Sequence, residues 1–144
     1  MASSALHAIG TLLKRGDGGS PETFTTVAEV LSITGPGLTS DIIDVTNHDT
    51  SNGFREFIMG LQDGGEFQFS INYIPTNSTH NATTGLLDAF EDKERGNWKL
   101  VFPDGATTTW TFQAVVRTVA IRAPIDGQLT ADVTLKISGK PTLA

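Results

Sequence analysis

The stretch Glu66-Phe67-Gln68-Phe69-Ser70-Ile71-Asn72-Tyr73 decides the fold class. Every odd position is apolar and every even position polar, the period of a strand with one buried face. Leu129-Thr130-Ala131-Asp132-Val133-Thr134-Leu135-Lys136-Ile137-Ser138 repeats the pattern. Residues 97–102 and 107–122 form a further strand pair around Pro103-Asp104-Gly105, where proline presets φ and glycine accepts a positive φ. In the longer strand the apolar phase passes from Trp110, Phe112 and Ala114 to Val115, Val119 and Ile121, which predicts a bulge near residues 114–116. Upstream, residues 24–34 and 38–46 read as strands around Gly35-Pro36-Gly37. Residues 8–14 read as a short strand before the polar loop 15–21.

One segment carries a helical period. Leu86, Leu87 and Phe90 share a face, Asn81 or Thr83 stands where an N-cap belongs, and Gly96 stands where a left-handed terminator belongs. The run Glu91-Asp92-Lys93-Glu94-Arg95 supplies solvated last turns, so a helix is predicted over residues 82–95. Amphipathic strands must bury one face against another sheet. The expected fold class is therefore mainly β, an antiparallel β-sandwich or barrel with one flanking α-helix, in a single domain spanning residues 1–144.

Composition agrees. Charged residues make up 18% of the chain, and the polar complement comes instead from 20 Thr, 9 Ser and 15 Gly, which suit strands and turns. The absence of cysteine excludes disulfides, thiolate catalysis and Cys-based metal sites. A net charge of −6 argues against a groove that binds nucleic acid by neutralising phosphates. It leaves open a protein that nucleic acid passes without sticking. No stretch approaches the ~20 apolar residues of a membrane span, and residues 1–10 lack the basic and apolar regions of a signal peptide. A soluble, cytosolically folded chain is expected.

No catalytic constellation emerges. His7, His48 and His80 lie in polar or terminal stretches without metal-ligand spacing. A hydrolase reading would have to use Asp44, His48 and Asp49, but acids in turns are far more often turn formers. The glycines match no nucleotide-binding pattern, and Arg15-Gly16-Asp17 sits in a Gly-rich turn where its match to an adhesion tripeptide is fortuitous. Trp98 and Trp110 are in core phase with Phe102 and Phe112, and only Lys99 is interleaved with them, too little for a base-stacking platform. No enzyme activity and no cofactor are expected.

The segment from Asp44 to Gly65 remains. It is long for a loop in a compact domain, and Phe54, Phe57, Ile58 and Met59 are awkward in water. They either pack on the domain or await a partner.

The succession Asp44-Val45-Thr46, Glu56, Gly60 and Asp63-Gly64-Gly65, followed by the Leu86-Leu87 helix, the Trp98 hairpin and the strand 129–137, resembles the major tail tube proteins of long-tailed bacteriophages. The resemblance spans nearly the whole chain. It implies hexameric rings that stack into a hollow tube conducting DNA from capsid to host. The partners it implies are further copies of the chain, tape-measure, tail-tip and terminator proteins, and DNA that passes without specific binding. It implies a location in the virion tail, after synthesis in the host bacterial cytoplasm. Tube proteins of contractile injection machines and the type VI secretion ring protein are similar, and a soluble β-sandwich ligand-binding module is the reading from a different class.

In this family the long loop reaches the neighbouring ring and the terminal arms join subunit contacts. Carried onto this chain, the loop is residues 44–65, with Asn47, His48, Phe54, Arg55, Glu56, Phe57, Ile58 and Met59 as contact residues and residues 1–7 and 139–144 as arms. Four strands from each of six subunits would make a barrel of about 24 strands, with a bore of about 38 Å between side chains. Asp41, Asp44, Glu66 and Asp132 are the acids expected to face that bore, with solubilising surface charge as the alternative for each.

Overall fold

The computed structural model describes residues 3–50, 52–93 and 95–144. The first two residues of the expected N-terminal arm, Ser51 of the expected loop and Glu94 of the expected helix lie outside the described residues. The elements are β1 (Leu12–Gly16), β2 (Phe24–Thr26), β3 (Val30–Thr34), β4 (Thr39–Asp44), β5 (Phe57–Asp63), β6 (Glu66–Asn72), α1 (Leu86–Asp92), β7 (Gly96–Val101), β8 (Thr109–Arg122) and β9 (Thr130–Leu143).

Seven strands form one antiparallel sheet in the order β2-β1-β7-β8-β9-β6-β3, and β4 and β5 form a separate pair. The alternation in β6 and β9 is realised residue by residue: Phe67, Phe69 and Ile71 are buried, as are Ala131, Val133, Leu135 and Ile137. In a flat sheet β6 and β7 would lie three strand spacings apart, ~14 Å. Yet the rings of Phe69 on β6 and Trp98 on β7 are 6.5 Å apart, and those of Phe67 and Phe112 5.2 Å. The sheet therefore doubles over, and its apolar face closes on itself as a sandwich-like core. Its ends, β2 and β3, are not paired to each other, so no barrel closes within the chain.

Four expectations are corrected. Residues 24–34 are not one strand: the chain breaks at Glu29, which has a φ of 59°, and β2 and β3 go to opposite edges of the sheet. The helix occupies Leu86–Asp92 rather than residues 82–95. Asn81 Oδ1 accepts from the amides of Thr83 and Thr84, folding those residues into their own turn, so Gly85 becomes the N-cap with no side-chain cap. Lys93, not Gly96, takes the left-handed terminal position. Residues 139–143 continue β9 instead of leaving as an arm, with Leu143 opposite Trp110 on β8 and Ala144 bonded to Thr109 beyond the strand's end.

His80 is fully buried. Its Nδ1 accepts from the Ile74 amide at 3.1 Å, which leaves Nε2 to donate to the Ala28 carbonyl at 2.8 Å. Tyr73 stacks on the ring. The imidazole thus satisfies two main-chain groups where the 74–84 segment crosses the β2–β3 connection, a structural role.

Candidate subunit interface

The expected loop 44–65 is largely a β-hairpin. Strand β5 pairs with β4, setting Ile42 opposite Met59, Ile43 opposite Ile58 and Asp44 opposite Phe57. The register shifts at Asp41, opposite Gly60 and Leu61, a bulge that twists the hairpin. Successive residues of a strand point to opposite faces, so Phe57 and Met59 share one face and Ile58 takes the other. Both faces are exposed, to 63% at Met59 and 84% at Leu61. The hairpin touches the rest of the chain sparsely, along β9.

Polar side chains hold the turn between the strands. The Thr46 hydroxyl first, and second the Thr46 amide, which donates to Asp44 Oδ1 at 2.9 Å, hold the Asp44 carboxyl below its ordinary pKa. Thr46 Oγ1 accepts from the Glu56 amide at 2.8 Å, and the Val45 amide donates to the Glu56 carbonyl. Asn47 Oδ1 accepts from the Asp49 amide, so the Asn47 side chain builds the turn. Beyond it His48, Phe54 and Arg55 stand exposed, Phe54 at 74%. Sequence reasoning missed Ile42 and Ile43, which extend the apolar surface through β4, and their adjacency to the segment was the available signal.

At the hairpin base two chain segments cross closely. Gly65 has a φ of 73°, and a Cβ there would lie 2.1 Å from the Gly37 carbonyl oxygen. The Gly65 amide donates to Asp63 Oδ1 at 2.8 Å, and its carbonyl accepts from Ile137 at 3.1 Å. The Gly65 amide first, and Lys136 second, hold the Asp63 carboxyl below its ordinary pKa. A carboxyl with a depressed folded pKa contributes stability above its unfolded value, ~3.9, and loses it as pH falls through the folded value. We therefore expect the Gly65 amide resonance to titrate with a midpoint below pH ~3.9. Asp63→Asn should abolish that titration.

The four acids expected at the bore divide into two pairs. Asp41 and Asp44 lie on β4, on the hairpin. Glu66 and Asp132 lie on the polar face of the large sheet, where Arg117 and Arg122 respectively meet them. A groove between the hairpin base and the end of β9 is lined by Leu38, Trp110, Pro141 and Leu143. Among the described residues no group of three or more His, Asp or Glu side chains could hold a metal ion, and no helix is long and apolar enough to cross a membrane.

Comparison with known proteins adds three findings. Residues 11–144 match the profile of the lambda phage tail tube protein, TTP. No individual curated protein sequence matches significantly. Among solved structures the chain resembles a chain in the tail of an empty gene transfer agent particle with C6 symmetry, with a TM-score of 0.75 at 16% identity, covering 97% of this chain and 99% of that one. A chain in the virion of a native gene transfer agent gives 0.74 at 14% identity over the same shares. A chain in the sheath/tube terminator of the extracellular contractile injection system PVC gives 0.74 at 12%, covering 100% and 99%. At such identities the likeness establishes a common fold.

Proposed function

The chain belongs to the lambda phage tail tube protein family, and from that premise we propose that it assembles into six-membered rings stacked as the hollow tube of a virion tail. The observation that carries this reading is the β4–β5 hairpin, apolar on both faces and exposed on both. An isolated two-stranded hairpin is marginal in water. This one also leaves an outer edge of each strand unpaired among the described residues. Copies of the same chain, seated on both faces and along these edges, would supply what is missing. The C6 symmetry of the gene transfer agent tail supports six as the ring number, since the two chains share a fold.

The contact residues in this reading are Phe54, Arg55, Glu56, Phe57, Ile58 and Met59, with His48 at the tip and Asn47 shaping it. Residues 1–7, exposed where described and outside the profile match, act as an arm onto a neighbour. Residues 1–144 serve as one tail-tube domain, made in the host bacterial cytoplasm and carried in the tail. Tape-measure, tail-tip and terminator proteins meet the tube, and DNA passes through it without specific binding. The role is structural and needs no cofactor.

Negative-stain electron microscopy of the purified protein at increasing concentration, beside light-scattering mass, tests the proposal. Rings or tubes with a central hole are expected. A species that stays monomeric at every concentration, and also with the tail-tip complex added as initiator, would overturn it in favour of a soluble binding module.

A further inference from the structure

The longest strands of the fold, β8 and β9, form a hairpin whose two ends differ in chemistry. At one end β8 turns into β9 through residues 123–129, all of them exposed. Ile125 stands at the tip, 107% exposed, with Asp126 beside it. The turn is stiff. Pro124 fixes its own φ, and Gly127 lies so close that a Cβ there would be 3.1 Å from the proline ring. At the other end, about 40 Å away along β8, lies the groove of Leu38, Trp110, Pro141 and Leu143, with a volume of about 680 Å³. Asp63 and Lys140 also line it. Asp63 is taken by Lys136, whereas Lys140 is exposed and no acid meets it among the described residues. Among the same residues no base meets Asp126.

We propose that the Ile125–Asp126 turn of one copy seats in this groove of another, with Ile125 among the apolar side chains and Asp126 on Lys140, and that this contact joins ring to ring. It rests on the tube reading above and adds to the β4–β5 hairpin a second contact, made by a different element. A single exposed isoleucine is ordinary on a protein surface. Here an apolar tip with an unmatched acid and an apolar groove with an unmatched base occur on one chain, and each supplies what the other lacks. A turn already stiffened by Pro124 loses little freedom on seating. Because knob and groove are different surfaces, the contact is heterologous and passes from copy to copy without saturating in a dimer. The edges of the large sheet, β2 and β3, face sideways, where ring neighbours sit, and the strand ends are left for copies above and below. The two ends of a tube then differ: one presents six free turns and the other six free grooves.

The test is the concentration at which tubes form, read by light scattering, with electron micrographs of the products. Asp126→Lys sets two lysines face to face and Lys140→Glu two acids, and each should raise that concentration about tenfold or more. Thermal midpoints of the monomers should match wild type, since both side chains are exposed. Asp126→Lys combined with Lys140→Glu restores an opposite pair and should return to within about threefold of wild type. Ile125→Ser leaves the groove unfilled and should give single rings at concentrations where wild type gives tubes. Single exchanges that assemble as wild type does, or a double exchange no better than the singles, would overturn the contact. Monomers in place of rings from Ile125→Ser would overturn its placement between rings. Failure of the wild-type protein to form rings or tubes, with the tail-tip complex present, would instead overturn the tube reading on which it rests.

Discussion

Phe57→Asp is expected to abolish tube growth while leaving a folded monomer. Burying a phenylalanine side chain contributes about 1.5–3 kcal/mol, and a carboxylate left in the same contact costs several more unless it is paired. A loss of at least ~4 kcal/mol per contact raises the concentration needed for assembly by roughly a thousandfold. The monomer should not register the change, because Phe57 is exposed and the hairpin makes few contacts with the body. Circular dichroism and the thermal midpoint should therefore match wild type while light scattering shows no polymer. Asp44 sits directly across the ladder from Phe57, so a new carboxylate there also repels its partner and loosens the hairpin. Ile58→Asp separates the two effects. It lies on the opposite face, across from Ile43, with no acid opposite. If copies cover both faces, both variants block assembly, and Phe57→Leu does not. Normal tubes from Ile58→Asp would mean that only the Phe57 face is an interface.

The hairpin also marks the limit of what the sequence makes legible. Strands β6 and β9 announce themselves by strict alternation, because one face is buried and the other wet in the single chain. Phe57-Ile58-Met59 does not alternate, so the period-2 signal is missing and the segment reads as a loop with misplaced apolar residues. Two-sided apolarity is what a strand covered on both faces looks like, and a loop reading is what a one-chain view makes of it. The break at Glu29 is illegible for a different reason: a left-handed glutamate has no composition cue, and residues 24–34 look continuous although their halves lie at opposite sheet edges. The charge matching is non-local. Glu66 and Arg117 are 51 positions apart and meet only because β9 sets β6 and β8 on either side of it. The acids of the polar face were legible as residues, and the arginines that neutralise them were not.

Trp98 and Trp110 look equivalent in sequence, each in phase with its neighbours, yet the fold separates them. Trp98 is 1% exposed beside Phe69, at the point where the doubled-over sheet brings β6 against β7. Trp110 is half-buried at the groove under the hairpin, opposite Leu143. Truncating a fully buried tryptophan removes its transfer free energy and leaves a cavity that the two halves of the sheet cannot close without unbending. Trp98→Ala should therefore cost about 3–5 kcal/mol. For a domain of this size that lowers the midpoint by roughly 10–20 °C. Trp110→Ala removes less buried surface, next to a groove that is already open, and should cost about half as much. Assembly binds the folded state alone, so tubes of Trp98→Ala should melt closer to wild-type tubes than the monomers do to each other. Trp110→Ala should show the reverse emphasis, with a modest monomer effect and a larger assembly defect, since its ring supports the end of β9 beneath the hairpin. Calorimetry of monomer and tube for both variants separates these outcomes. Equal monomer losses at the two positions would mean that the core does not lie in the fold of the sheet.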